Sequence, residues 1–149
     1  MCKKLIAWTM HNSAPLQHIG FTLIRISFGI MFLIFGYNKL MSGSAHLTQL
    51  GSAMGYFGIT RGYLLWGYAA ALTELCGGIA YILGLWTRII SLPMIWLLIV
   101  AVKFHLQKDD AFTAWSFPAI CLCIAISFLI AGSGVYSADH IFSRSQDHH

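Results

Sequence analysis

Four runs of about twenty mostly apolar residues, at about 19–38, 63–86, 88–106 and 115–132, leave this chain few ways to fold in water. A helix crossing the hydrocarbon core of a bilayer needs about 20 such residues. A soluble domain, by contrast, covers its surface with roughly 25% charged residues. Here charged residues are 9% of a chain of 149, and hydrophobic residues 58%. That shortage of charge, more than the abundance of Leu and Ile, places most of the surface against lipid. The expected fold is all-α: an integral membrane four-helix bundle forming one domain over 1–149, with polar tails at 1–18 and 140–149.

The connections shape the bundle. Between spans two and three only Trp86, Thr87 and Arg88 make the turn, which forces those helices to be antiparallel neighbours. About 25 residues separate spans one and two, and within them Leu47, Leu50, Met54 and Phe57 recur at helical spacing. A short amphipathic helix lying along the membrane surface is expected there. Pro118 is expected in the first turn of span four, where a missing N–H costs nothing. Pro93 sits inside span three and should kink it. Trp66, Trp86 and Trp115 fall at span ends, as an aromatic belt requires. The apolar run at 5–10 is too short for a signal-peptide core and reads as an interfacial lead-in.

A net charge of +4 raises the question of nucleic acid, but the basic residues are scattered singly and form no patch. Such cations anchor helix ends at headgroups. Lys3, Lys4, Arg88 and Arg144 at one membrane face balance Lys39, Arg61, Lys103 and Lys108 at the other, so charge does not orient the chain. Four crossings put both termini on one side, with the cytoplasm as the working expectation. Cys121 and Cys123 stand two apart and point about 200° from each other on a helix, so they cannot share one metal. No close pair of histidines forms a metal site on a helix face. No metal is expected.

The informative residues are charges where lipid should be, since such groups usually face the bundle interior and pair. Glu74 stands near the middle of span two, on a face shared with Gly67, Gly77 and Gly78. Small residues let helices approach closely in lipid. Arg25, Gly29, Gly36 and Lys39 make a matching face on span one. At 1.5 Å per residue, Glu74 lies roughly 18 Å from the terminal-side surface, Arg25 about 9 Å, Lys103 about 22 Å and His105 about 25 Å. A buried polar cluster is therefore expected, with Glu74 joined to Arg25, Lys103 or both, and His105 towards the far surface. Such a pair has a bland reading too, as a device that sets helix register, and Lys39 and Lys103 could simply snorkel to headgroups.

Taken in order, several short strings resemble the DoxX family of small bacterial membrane proteins. They are G-Y-N-K-L (36–40) after the Arg25 span, E-L-C-G-G (74–78), L-G-L-W-T-R (83–88), K-F-H (103–105) and G-S-G-V-Y-S-A-D (132–139). The resemblance covers roughly residues 16–142. It implies a multi-pass protein of the bacterial inner membrane that serves as a membrane subunit or partner of a quinone-linked oxidoreductase, with Arg25, Glu74 and His105 as its polar core. Quinone is the cofactor it implies, and a soluble or membrane redox protein the partner. Whether the chain is itself an enzyme, and its oligomeric state, stay open at this point. Two further readings compete: a non-catalytic scaffold or assembly factor, and a carrier for a small metabolite. Four spans without an internal repeat argue mildly against the carrier.

Overall fold

A computed structural model describes residues 14–146; the lead-in run at 5–10 lies outside the described residues. Every regular element is helical: α1 (Ala14–Met41), α2 (Gly43–Gly51), a single 3₁₀ segment (Ser52–Phe57), α3 (Tyr63–Leu83), α4 (Thr87–Gln107), α5 (Phe112–Ala131) and α6 (Ala138–Gln146). Three of these, α1, α4 and α5, are long and apolar enough to cross a membrane. The fourth expected span, α3, equals α4 at 21 residues but is not among these three. It packs against α1, α2 and α4 together, and its buried face is Gly67, Ala71, Glu74, Gly77, Gly78 and Tyr81.

Close backbone approach explains the small residues. A Cβ at Gly29 would lie 2.7 Å from the Gly78 carbonyl oxygen, and one at Gly78 would lie 2.7 Å from the Gly29 oxygen. Further along, a Cβ at Gly36 would lie 2.7 Å from the Ala71 oxygen. Helices α1 and α3 are thus antiparallel, with 29 beside 78 and 36 beside 71. Gly77 differs, because its neighbour is the Cε of Met94, a movable side chain. Around this seam Phe28, Phe32, Tyr81, Met94, Leu98, Cys121, Ala125 and Phe128 form one core. Phe28 meets Tyr81 and Phe128 edge-on, at centroid separations of 5.2 and 5.5 Å. The Tyr81 hydroxyl is 2.8 Å from Ser91 Oγ, which itself donates to the Thr87 carbonyl.

The short helix expected after α1 is present as α2, and its covered face docks on α3: Leu47 is wholly buried, and a Cβ at Gly67 would collide with the Leu47 backbone. The helical spacing from Leu47 to Phe57 also spans a break, since the chain tightens to 3₁₀ at Ser52. That segment reaches α4, with Phe57 stacked at 5.2 Å on Trp96 and Tyr56 at 6.0 Å from Phe104. Helix α5 starts at Phe112, which puts Pro118 inside the helix and buried rather than in its first turn. The stretch from 140, read as a tail, is helical as far as Gln146.

Candidate functional site

The five candidate ionisable residues, Arg25, Lys39, Glu74, Lys103 and His105, occupy four separate places. Glu74 pairs with Lys39, whose Nζ donates to Oε1; neither Arg25 nor Lys103 reaches it. Register is the cause. With Gly29 beside Gly78, Arg25 is level with the end of α3, where a Cβ at Gly84 would strike its guanidinium. Residue 84 is about 15 Å along the axis from Glu74. Lys39, one turn beyond Gly36 on the same face of α1, comes within reach because Gly36 sits flat against Ala71 and Leu75. The shared face of Arg25, Gly29, Gly36 and Lys39 carried that signal, but absolute depth counted from span ends obscured it.

The Lys39–Glu74 pair is asymmetric. The carboxylate side chain is 3% exposed and the lysine 26%. One carboxylate oxygen takes the ammonium, and the other, Oε2, is buried with no hydrogen-bond partner among the described residues. A buried ion pair returns its desolvation cost only when the remaining lone pairs are also satisfied. Here one oxygen is left over, beside an ammonium at a half-open rim. The arrangement can accept one hydrogen bond deep in the helix layer and donate others nearer its edge.

Lys103 lies over the Phe57 ring at 4.0 Å from its centroid, a cation–π contact between α4 and the 3₁₀ segment. His105 Nδ1 is 2.8 Å from Asp110 Oδ2 in the turn after α4, at the end of the helix layer far from Arg25. Among the described residues no group of three or more His, Cys, Asp or Glu is placed to hold a metal ion.

Arg25 defines a second polar centre. Its Nη1 donates to the Ser133 carbonyl and its Nη2 to that of Tyr136 at 2.6 Å, while Nε is buried without a hydrogen-bond partner among the described residues. The segment after α5 therefore folds back over α1 about three turns in from its start. Asp139 completes the fold-back: its Oδ1 accepts from the Trp86 amide at 2.9 Å, and its own amide donates to the Gly84 carbonyl at 3.2 Å. Trp86 has φ 49°, uncommon for a non-glycine residue, and this acceptor holds it there. Arg88 also reaches across, donating to the Ile130 carbonyl at 3.3 Å. The strings at 83–88 and 132–139 thus meet in space around Arg25, a meeting that spacing along the chain does not show.

Long helices that turn Leu and Ile outward, among them Leu23, Ile34, Ile89 and Ile130, while keeping charged groups inside, define a helical membrane protein. Its lineage is equally plain: the chain belongs to the DoxX family, whose model matches residues 20–107. The match takes in α1 to α4, with Arg25, Lys39, Glu74, Lys103 and His105, and stops before the segment that covers Arg25. No curated protein matches the chain significantly, and no solved structure does.

Proposed function

We propose that this chain is a four-span subunit of a redox complex in the bacterial inner membrane, and that a quinone headgroup binds beside Lys39 and Glu74. The buried, unpartnered Oε2 of Glu74 carries the reading. A quinone presents carbonyl oxygens that accept hydrogen bonds, and hydroxyls in their place when reduced. Lys39, at the open side of the pair, suits the first, and Glu74 Oε2 suits the second. When bound, the quinone would supply two-electron, two-proton chemistry, with this chain positioning its oxygens. Cys121 is buried while Cys76 and Cys123 lie outward, so these three offer no thiol pair to feed electrons in. A partner redox protein is the donor in this reading.

Counting α3 as a span rests on its outward side, where Leu65, Leu72 and Ile79 are exposed as Leu23, Ile89 and Ile130 are on α1, α4 and α5. Helix α3 then crosses as the inner member, sheltered on its polar face. Both termini fall on one side of the membrane, the cytoplasmic side in this assignment.

The test is quinone binding by the purified protein in lipid nanodiscs. Saturable binding of a short-chain quinone, weakened about tenfold in both Glu74→Gln and Lys39→Met, is expected for the loss of one charge-assisted hydrogen bond. Normal binding in both variants, or none in the native protein, would discard the quinone site. A fall in melting temperature without a change in binding would instead mark the pair as a register pin.

A further inference from the structure

The end of the helix layer where α3 and α5 finish carries a groove of about 780 Å³, bounded by the middle of α1, the last turn of α3 and the segment running into α6. Its composition divides in two. Ile26, from the middle of α1, and Ile82 and Leu83, from the last turn of α3, supply an apolar wall, and Arg25, His140 and Arg144 supply the polar part. Among the described residues no carboxylate lines it. His140 and Arg144 are four apart on α6, so they share one face of that helix.

Arg25 is held by neutral partners. It is 1% exposed, its two described hydrogen bonds go to neutral carbonyls, and among the described residues it forms no ion pair. Asp139, whose carboxylate accepts from the Trp86 amide, offsets part of that charge through space. A buried cation without a close anion is costly. The groove therefore combines a guanidinium with no directly bonded anion among the described residues, a second arginine, an imidazole and an apolar wall.

We infer that this groove binds an anionic phospholipid, its phosphate held by Arg144 and His140 in the field of Arg25 and its acyl chain laid along Ile26, Ile82 and Leu83. Basic pockets between transmembrane helices take lipid headgroups in this manner. The apolar wall selects a lipid over a free anion, because inorganic phosphate would leave Ile82 and Leu83 unused. Ile141 and Phe142, both outward on α6 at 69% and 62% exposure, would seat that helix in the interface beside the bound lipid. The inference rests on the membrane location alone and is independent of the quinone site.

Native mass spectrometry of the full chain released from detergent tests it. The native protein should retain phosphatidylglycerol about fivefold or more over phosphatidylcholine, and Arg144→Gln should lower that preference about fivefold. Arg144 is exposed, so this variant keeps its fold; His140→Gln provides a second, with the same direction expected. Equal retention of both lipids by the native protein overturns the inference, as does full preference in both variants. Displacement of phosphatidylglycerol by millimolar inorganic phosphate would reassign the groove to a free anion and also overturn it.

Discussion

The guanidinium of Arg25 fills the space that a side chain at Gly84 would need. A Cβ there would lie 2.7 Å from Arg25 Cζ and 2.6 Å from Ser137 Cβ, and φ at Gly84 is 67°. Two independent demands thus fall on one residue: a left-handed backbone and an absent side chain. Gly84→Ala should cost about 2 kcal/mol or more, from the strained conformation and the displaced arginine. A melting curve in detergent within a degree of the native one would contradict this.

Removing half of the Lys39–Glu74 pair should be worse than removing all of it. Lys39→Met leaves a buried carboxylate with no cation and should destabilise by about 3 kcal/mol. Combining it with Glu74→Leu should recover most of that loss, since an apolar pair needs no desolvation. The readout is a double-mutant cycle on chemical denaturation in micelles.

Gly36 and Gly77 should respond differently to the same methyl group. At Gly36 the new Cβ would meet the backbone of Ala71 and Leu75, so α1 and α3 must separate, at about 1–3 kcal/mol. At Gly77 it would meet Met94 Cε at 2.8 Å, and a methionine can repack. Thermal shifts of Gly36→Ala and Gly77→Ala, measured side by side, should differ by several degrees; equal shifts would refute the seam as described.

Asp139→Ala should free the turn between α3 and α4. The Trp86 amide loses its acceptor, a change worth about 1 kcal/mol, and a residue at φ 49° loses its restraint. Hydrogen exchange at Trp86 should accelerate in this variant while exchange in the middle of α4 stays unchanged. Acceleration spread along all of α4 would mean that the contact supports the whole helix instead.

Much of the site was legible as residue type and facing. Glu74 stood out because a carboxylate inside a long apolar run has few explanations, and Lys39 lay on the same stripe as Gly29 and Gly36. The partner assignment failed because depth was counted from span ends, and α1 extends well beyond the apolar run that suggested it, from Ala14 to Met41. A few residues of offset in each helix moves a side chain by a full turn. The docking of α2 was missed for a related reason: an amphipathic stripe shows that one face is covered, and it does not say whether lipid or protein covers it.

By itself the sequence determined the membrane, the helices and the small-residue faces, because each follows from local composition and a fixed helical period. Only the tertiary structure decided that Lys39 meets Glu74 and that the segment at 132–139 closes over Arg25. Those contacts depend on how helices slide and rotate against each other. That register is set by summed packing of glycine against backbone along a whole interface, and no single residue encodes it.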